Sequence, residues 1–349
     1  MMIHREVSLK IKNMKLHIKY IAVIFICLVL CGVRCDDNLE KVIIDTDAGP
    51  DDAVAIFLTL RSQCAGVEVI AITCSYGNTY LDNVVQNVLK VLTVANRSDI
   101  PVYKGASKAL INEYKPTGYF GSDGFGDFNF TDEITAKVDE SKHAAVALVD
   151  LAKQYPGQIT VLSIGPLTNI AIAIALEPMF LKYLKNHVIL GSSVSGIGNI
   201  LPNVEFNFYQ DPESNYIVMN SIMNDNNSVP RTLVSWELGV DSYISKDWRI
   251  NTLGKINSTA MRLLNKAEQV SLMNSTSWVV SDAVAAAIMI WPQFAQSSTV
   301  VNVSPVIDGM ARGSVLVDYT NLTDKPRNTR IPKTFSMEAF KSEILRSLS

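Results

Sequence analysis

The sequence predicts an α/β fold, a single open and mostly parallel Rossmann-like sheet with helices on both faces. Two observations carry this prediction. From about residue 40 onward, short apolar runs alternate with longer segments of helical pattern. The short runs are nearly continuous in Val, Ile and Leu, which is typical of parallel strands covered on both faces. Because nothing in the composition marks a second domain, residues 36–349 are expected to form one domain.

The predicted strands and helices alternate along the chain. Five segments are predicted strands: 41–45 (KVIID), 67–74 (VEVIAITC), 159–165 (ITVLSIG), 187–193 (HVILGSS) and 232–238 (TLVSWEL). The predicted helices are 52–62, 81–95, 141–157 and 167–178. The glycine-rich stretch 114–132 is predicted to be a mobile connection, and the polar last forty residues are expected to contain few strands. In such a sheet the site lies at the carboxyl ends of the strands.

The charge of the chain argues against nucleic acid as a partner. Its 349 residues carry a formal net charge of -3, and no basic run follows the N-terminal segment. A surface that binds nucleic acid by charge needs clustered Lys and Arg side chains. We therefore expect no nucleic-acid partner.

Residues 1–35 are predicted to be a secretory signal peptide. Basic residues precede the apolar run 20–33 (YIAVIFICLVLCGV), which is short for a membrane span, and cleavage is expected after Cys35. The alternative is a signal anchor that stays uncut. Cleavage would leave a secreted, extracellular protein with no stable membrane association.

Two further features belong to this expectation of export. The mature chain keeps only Cys64 and Cys74, which either pair or remain as buried thiols. Sites of the form Asn-X-Ser/Thr occur at Asn96, Asn129, Asn226, Asn257, Asn274, Asn302 and Asn321. Together with the leader they favour a secreted glycoprotein.

Four carboxylates lie between two apolar segments, in the sequence DTDAGPDD at residues 45–52. Gly49 permits a turn and Pro50 fits the first turn of a helix, so Asp51 and Asp52 lie at a helix N-terminus. The helix dipole contributes only ~0.3–1 kcal/mol per group, too little to offset four crowded carboxylates. A hard cation, Ca²⁺ or Mg²⁺, suits such an all-oxygen set. A solvated acidic helix cap is the alternative.

Several motifs in the chain resemble those of the inosine–uridine preferring nucleoside hydrolases. DTDAGPDDAVAI resembles the family's N-terminal signature DTDPGxDD. The motifs YGN, GPLTNIA and GNxxxxVEFNxxxDPE follow in the family's order and approximate spacing. The resemblance covers most of the chain beyond the leader. It implies a Ca²⁺-dependent enzyme that splits ribonucleosides into ribose and a free base.

The resemblance also implies roles for individual residues. It implies that Ca²⁺ is bound by Asp47, Asp52, Asp282 and the backbone carbonyl of Ile164. The residues implied to bind the ribose are Asp51, Asn78, Asn199, Glu205, Asn207 and Asp282. The resemblance implies that Asp45 does not bind the ion or the ribose itself but supports the residues that do.

The residue types suit this chemistry on independent grounds. Three carboxylates and one carbonyl leave room in a Ca²⁺ shell of about 6–8 oxygens for a water and two sugar hydroxyls. Asp47 is expected to take a proton from that water, which the ion makes more acidic, and so deliver hydroxide to the anomeric carbon. Asn and Glu side chains suit a sugar and the oxocarbenium-like state of glycosidic cleavage.

The chain departs from the family at the residue before Asp282. Many members have His there and some purine-specific members have Trp, whereas this chain has Ser281, a poor general acid that cannot stack. His143 and His187 are expected to lie away from the pocket. Stacking on the base is the predicted substitute, and the candidate aromatics are Trp278, Trp236, Phe120, Tyr119 and Phe125. Because stacking raises the basicity of a purine, purine nucleosides such as inosine are favoured.

Two other functions match parts of the pattern. DTDAG resembles the nucleophile motif of haloacid-dehalogenase phosphatases, but the chain shows no lysine near a strand end to complete that site. A non-catalytic secreted protein that binds nucleosides or sugars is the stronger alternative, because the usual histidine is missing. Against it, Asp47 and the other metal and ribose positions are all present. The resemblance further implies a homodimer or homotetramer.

Overall fold

A computed structural model describes residues 39–113, 115–221, 231–273 and 275–349. Glu40–Ser349 form one compact unit. The predicted signal peptide at 1–35 lies outside the described residues, and so do the predicted glycosylation sites Asn226 and Asn274. Among the described helices, none combines the length and the apolar character needed to cross a bilayer.

The described strands form one large sheet and one small ribbon. They are β1 (Glu40–Thr46), β2 (Val67–Cys74), β3 (Val102–Lys104), β4 (Ile159–Ser163), β5 (Leu184–Leu190), β6 (Arg231–Val234), β7 (Ile244–Ser245), β8 (Ser277–Trp278), β9 (Ala295–Pro305), β10 (Val315–Asp318) and β11 (Thr329–Phe335). The sheet order is β10-β9-β11-β6-β5-β4-β1-β2-β3, and β7 pairs with β8 in the ribbon. From β11 to β3 all neighbours are parallel. Strand β9 is antiparallel to both β11 and β10.

The helices connect these strands and cover the sheet. They are α1 (Pro50–Leu60), α2 (Leu81–Val94), α3 (Ala144–Gln154), α4 (Thr168–Leu176), α5 (Phe206–Gln210), α6 (Pro212–Asn220), α7 (Trp236–Asp241), α8 (Lys246–Asn251), α9 (Thr259–Ala267), α10 (Gln269–Met273), α11 (Ser281–Ile290) and α12 (Met337–Leu348). Helix α11 packs against α1. This contact brings the first turns of two helices from distant parts of the chain to the same edge of the sheet.

The core lies on both faces of the sheet. Val42 and Ile44 of β1 belong to one buried cluster, together with residues of α1 and α11. Ile43, which lies between them in β1, belongs to a second cluster with residues of α3 and α4. Because successive strand residues point to opposite faces, both faces of β1 are buried. The doubly covered parallel sheet predicted from the apolar runs is therefore confirmed.

Two details of the sequence prediction are wrong. The strand predicted at 232–238 ends at Val234, and α7 begins at Trp236. The last forty residues contain β10 and β11, and β9 immediately precedes them. Residues of β9 and β10 are exposed at this end of the sheet, where β10 is the edge strand, so both strands lack the continuous apolar run of a central strand.

The two cysteines do not pair. Cys64 is exposed and Cys74 is buried, and both are free thiols. The expectation of two buried thiols therefore holds for Cys74 alone. Among the predicted glycosylation sites, Asn302 is buried in β9 and its side-chain amide donates to the Pro326 carbonyl at 2.8 Å. The sites at Asn96, Asn129, Asn257 and Asn321 are exposed.

Candidate active site

The turn between β1 and α1 carries the first carboxylates. Strand β1 ends at Thr46 and α1 begins at Pro50, so Asp47 lies in the turn. The Asp52 carboxylate accepts hydrogen bonds from the Thr46 hydroxyl at 2.5 Å and from the Gly49 amide at 2.9 Å. The bond from Gly49 pairs a backbone amide at the N-terminus of α1 that has no partner within the helix. Together the two bonds hold the fully buried Asp52 side chain in place.

Asp47 has one carboxylate oxygen that is bonded and one that is free. Its Oδ2 accepts a hydrogen bond from the backbone amide of Asn78, after β2, at 2.7 Å. Its Oδ1 is buried and has no hydrogen-bond partner within the described residues. A Cβ atom at Gly77 would lie 2.0 Å from Oδ2, so only glycine permits this close approach. The free oxygen is therefore available to a proton, a water or a cation.

Asp282 adds a carboxylate from the first turn of α11. One oxygen from each of Asp51, Asp52 and Asp282 lies within 4.8 Å of the other two. Asp47 lies near enough to Asp52 for the Asp52 charge to raise the pKa of Asp47. This triad includes Asp51, for which the resemblance implies a contact with ribose, and it does not include Asp47, which the resemblance implies to be a ligand of the ion.

Burial and mutual repulsion raise the pKa of each carboxyl group in this cluster. Burial is the larger cause for Asp51, and with the neighbouring Asp52 it raises the pKa of Asp51 to about 7. Burial raises the pKa of Asp52 to about 6. Burial and the adjacent carboxylates raise the pKa of Asp47 and of Asp282 well above the usual range. A positive charge among these groups would favour their ionised forms at neutral pH.

The end of β4 brings a backbone carbonyl to the same edge. The Ile164 carbonyl accepts a hydrogen bond from the Asn207 side chain at 3.1 Å and keeps a second lone pair free. The Ile164 amide donates to the Asp45 carbonyl at 2.8 Å. The Asp45 carboxylate is fully buried and accepts from the Thr73 hydroxyl and the Asn169 side chain. Burial raises the pKa of Asp45 to about 6.

Glu205 caps the short helix α5. Its carboxylate accepts hydrogen bonds from the backbone amides of Ser192, Asn207 and Phe208 at 2.8 to 3.1 Å. Burial, opposed by these bonds, raises the pKa of Glu205 to about 7. Asn199 is exposed and lies in the loop before α5. These residues line the same cavity as the aspartates.

A cavity of about 450 Å³ opens over the carboxylates. This volume falls within the usual range for sites that bind small molecules. Of the residues implied to bind the cation or ribose, the cavity wall includes Asp47, Asp51, Asn78, Ile164, Asn199, Glu205, Asn207 and Asp282. Asp52 lies behind this wall, where its carboxylate also accepts from the Asn78 side chain at 3.2 Å.

Four of the five candidate aromatics line the cavity. They are Tyr119, Phe120, Trp236 and Trp278. Tyr119 is exposed and packs edge-on against the buried Phe120, with ring centroids 4.7 Å apart. Trp278 is buried, and its indole N–H donates to the Glu268 carboxylate at 3.0 Å.

Phe125 is wrong as a candidate for base stacking. It is fully buried and packs on Phe128, with ring centroids 6.2 Å apart. The Lys90 ammonium lies 5.7 Å from the Phe125 ring. The glycine-rich segment therefore directs Phe120 toward the cavity and Phe125 into the core, a difference that the sequence pattern does not reveal.

Neither of the two histidines among the described residues, His143 and His187, lines the cavity. His143 caps α3, where its ring Nδ1 accepts from the Ala145 amide at 3.1 Å. His187 is fully buried in β5, 3.0 Å from the Ser163 hydroxyl. Ser281 does line the cavity, and its hydroxyl lacks a hydrogen-bond partner within the described residues. A Cβ atom at Gly239 would lie 2.2 Å from this hydroxyl, so α7 packs closely on Ser281.

The sequence interpretation missed three charged residues near the cavity. Glu268 lines the cavity and contacts Arg249, and both are almost fully buried. Glu237 accepts from the Ser193 hydroxyl at 2.6 Å and from the amides of Val194 and Ser195. It thereby holds the loop that leads to Asn199. No motif marks these residues, since each depends on a contact with a distant segment.

The fold and the site define an α/β protein whose strand ends surround a small-molecule cavity with buried carboxylates. The chain belongs to the inosine-uridine preferring nucleoside hydrolase family, whose model matches residues 42–342. The family predicted from the motifs is confirmed.

Two curated relatives are similar to this chain over about half of its length. "Probable uridine nucleosidase 2" of Arabidopsis thaliana is 42% identical over 182 residues, which are 51% of this chain and 55% of that protein. The "Inosine-uridine preferring nucleoside hydrolase" of Leishmania major is 38% identical over 187 residues, 53% of this chain and 58% of that protein. The matched region thus spans about half the length of these curated relatives.

The similarity to solved structures covers more of the chain than the similarity to these curated relatives. The "Inosine-Guanosine Nucleoside Hydrolase (IG-NH)" has a TM-score of 0.81 at 29% identity, covering 88% of this chain and 98% of that one. The "Purine-Preferring Ribonucleoside Hydrolase from Gardnerella vaginalis" has a TM-score of 0.75 at 25% identity, covering 88% and 98%.

Proposed function

We propose that the protein hydrolyses the N-glycosidic bond of ribonucleosides and releases ribose and a free base. The observation that carries this proposal is the cavity over Asp47, Asp51 and Asp282, which has buried carboxylates and the amide side chains of Asn78 and Asn207 in its wall. Carboxylates and amides in fixed positions suit the hydroxyls of a ribose. Membership of the nucleoside hydrolase family supports the same reaction.

The oxygen atoms at this edge of the sheet fit a divalent cation, and we propose Ca²⁺. The donors would be the carboxylates of Asp47, Asp52 and Asp282 and the carbonyl of Ile164, with Asp51 close to them. Ca²⁺ takes about 6–8 oxygen ligands, so this set leaves positions for water and sugar hydroxyls. When bound, the ion would lower the pKa of a water and neutralise the crowded carboxylates.

Asp47 is the proposed catalytic base. Its Oδ1 is buried, free of protein partners and within the cavity wall, so it can accept a proton from the attacking water. The water oxygen then bonds to the anomeric carbon as the bond from that carbon to the base nitrogen breaks. Asp51, Asn78, Asn199, Glu205 and Asn207 are the proposed ribose ligands, and Asp45 is the proposed support behind them.

The departing base gains electrons and needs a proton. Ser281 lines the cavity but is a poor acid, and His143 and His187 lie elsewhere. We propose that aromatic side chains stack on the base and raise its basicity, so that solvent can protonate it. Trp278, Trp236 and Phe120 line the cavity and are the candidates, which favours purine nucleosides such as inosine.

The first experiment measures free base released from inosine, guanosine, adenosine, uridine and cytidine, with and without a chelator. Release that the chelator abolishes, and that Asp47→Ala reduces by about 10²–10⁴-fold, supports the hydrolase. Asp150→Ala, an exposed carboxylate on α3, is the matched control and should keep full activity. Uridine hydrolysed faster than inosine would refute the purine preference.

A non-catalytic binding protein is the alternative, because no histidine lines the cavity within the described residues. Calorimetry with inosine and with ribose separates the two functions. Binding of either ligand without release of base would establish the binder. Turnover would exclude it.

We further propose that residues 1–35 are removed as a signal peptide and that the domain from residue 36 is secreted without stable membrane association. Exposed glycosylation sites such as Asn96 and Asn129 support export. Expression in secretory cells should place a glycosidase-sensitive protein in the medium. Asn302→Gln should leave its mass shift unchanged because Asn302 is buried. A protein retained in the membrane fraction would indicate an uncut anchor.

We also propose a homodimer or homotetramer, as the family resemblance implies. Light scattering on the secreted protein measures the mass directly. A monomer at micromolar concentration would contradict this proposal.

A further inference from the structure

Trp278 occupies a buried position in the cavity wall. It is 4% exposed and belongs to β8, whose pairing with β7 places Trp278 opposite Ile244. Its indole N–H points away from solvent to a protein acceptor, the Glu268 carboxylate, at 3.0 Å. The ring therefore has one fixed orientation rather than several.

Glu268 lies directly after α9 and also lines the cavity. One carboxylate oxygen accepts from Trp278, and the other lies 2.7 Å from the guanidinium Nε of Arg249. Arg249 is 1% exposed, and its Nη1 donates to the Asn265 side chain at 2.8 Å. The guanidinium also lies 5.6 Å from the centre of the Trp278 ring. Arg249 and Glu268 together contact both the polar edge and the ring of one tryptophan.

A buried ion pair is a poor source of stability. The loss of hydration of two charges offsets most of their attraction, and apolar replacements of similar volume are often as stable. An ion pair beside a ligand cavity is better explained by the side chain that it keeps in position. Here it holds an aromatic ring, and a ring held in place before binding loses less freedom when a flat ligand stacks on it.

We propose that Arg249 and Glu268 are positioning residues that hold the Trp278 indole as the aromatic wall for the nucleobase. They thereby set the affinity for the base without affecting the affinity for ribose. This inference rests on the proposed function, and it assigns base recognition at the same site to residues outside the family motifs.

The test is a double-mutant cycle on Trp278 and the ion pair. Glu268 cannot be replaced alone, because Arg249 would then be a buried charge without a partner. The double substitution Arg249→Met with Glu268→Leu removes both charges and keeps the volume. It is made in the wild-type protein and in Trp278→Phe, which keeps a ring but lacks the N–H donor. KM and kcat for inosine and the inhibition constant of ribose are measured for all four proteins.

The inference predicts that removing the pair raises KM for inosine about three- to tenfold, the range expected for loss of an ordered aromatic contact. Ribose should inhibit all four proteins equally. In Trp278→Phe, removing the pair should have no further effect on KM, because the residue through which it acts is already altered. The matched control removes the ion pair of Arg312 and Glu213, which lies outside this cavity, by Arg312→Met with Glu213→Leu. It should leave KM unchanged.

Two results would overturn the inference. One is an equal rise in KM on removing the pair in the wild-type and Trp278→Phe backgrounds, which would mean that the pair acts independently of Trp278. The other is a parallel loss of ribose inhibition, which would indicate general damage to the site. Release of base by the unaltered protein measures the proposed function separately, so failure of the two ideas can be told apart.

Discussion

At the scale of single residues, burial decides what each titratable group can do. Asp47 and His187 are both almost fully buried, yet only Asp47 lies in the cavity wall. Burial raises the pKa of Asp47 and, with the nearby Arg231 charge, lowers the pKa of His187 to about 3. His187 is therefore neutral at physiological pH and unable to act as a proton donor to a base. His187 therefore cannot replace the histidine that many family members have at the position of Ser281.

The buried His187 should make stability depend on pH. The unfolded chain binds a proton at His187 below pH 6.5, whereas the folded protein does so only near pH 3, so stability falls as pH drops through this window. Between pH 7 and pH 5 this one group should cost about 2 kcal/mol of unfolding free energy. In urea titrations, the unfolding free energy of His187→Gln should fall by about 2 kcal/mol less than that of the wild type between pH 7 and pH 5.

The control for this comparison is His143→Asn, which keeps a capping side chain at the start of α3. This variant retains His187, so the loss of about 2 kcal/mol between pH 7 and pH 5 should persist in it. Parallel curves for wild type and His187→Gln would contradict the assignment of the effect to His187.

At the scale of elements, the site is a property of strand ends and of the turns that follow them. Asp47 follows β1, Asn78 follows β2 and Ile164 follows β4, and these three strands are neighbours in the sheet. Parallel pairing brings their carboxyl ends to one edge, which is why residues far apart in the sequence meet there. The turns must also approach each other closely, and small residues allow this.

Gly77 is the clearest case of such an approach. Gly77→Ala would place a Cβ atom 2.0 Å from Asp47 Oδ2 and would displace that carboxylate. A displacement of about 1 Å at the reacting groups lowers turnover about 100-fold, so kcat for inosine should fall by that order. Gly157→Asn is the control, because Gly157 has open space around it and a left-handed backbone that Asn tolerates. An active Gly77→Ala protein would show that Asp47 can move without loss of function.

At the scale of the whole molecule, the carboxylate cluster joins distant parts of the chain. Asp51 and Asp52 belong to the first turn of α1 and Asp282 to the first turn of α11. A cation bound among them would connect these two helices and offset the mutual repulsion that raises their pKa values. The site is therefore expected to contribute to stability as well as to chemistry.

Ca²⁺ should stabilise the folded protein measurably. At a concentration of 100 times its dissociation constant, a ligand that binds only the folded state adds about 2.7 kcal/mol. Thermal unfolding of protein treated with a chelator should therefore shift upward when Ca²⁺ is added. The shift should be much smaller with Mg²⁺, which requires stricter geometry, and nearly absent in Asp282→Asn. An equal shift in Asp282→Asn would place the ion elsewhere.

The sequence alone determined the fold class and the central strands, and it predicted many of the residues that line the cavity. It could do so because doubly buried strands give continuous apolar runs, and because functional side chains follow directly after those strands. The carboxylates of residues 45–52 were recognisable as unusual since they stand between two apolar segments. Local patterns of this kind can be recognised in a single sequence, without knowledge of the contacts in the folded chain.

Only the tertiary structure decided the rest. It placed Phe125 in the core and Phe120 in the cavity, although both lie in the same glycine-rich segment. It brought Arg249 and Glu268 to Trp278, and it revealed strand β9 beside the edge strand β10, whose partly exposed residues, like those of β9, give no apolar run. These features depend on contacts between segments far apart in the chain, and the energy of such contacts is not encoded in any local pattern.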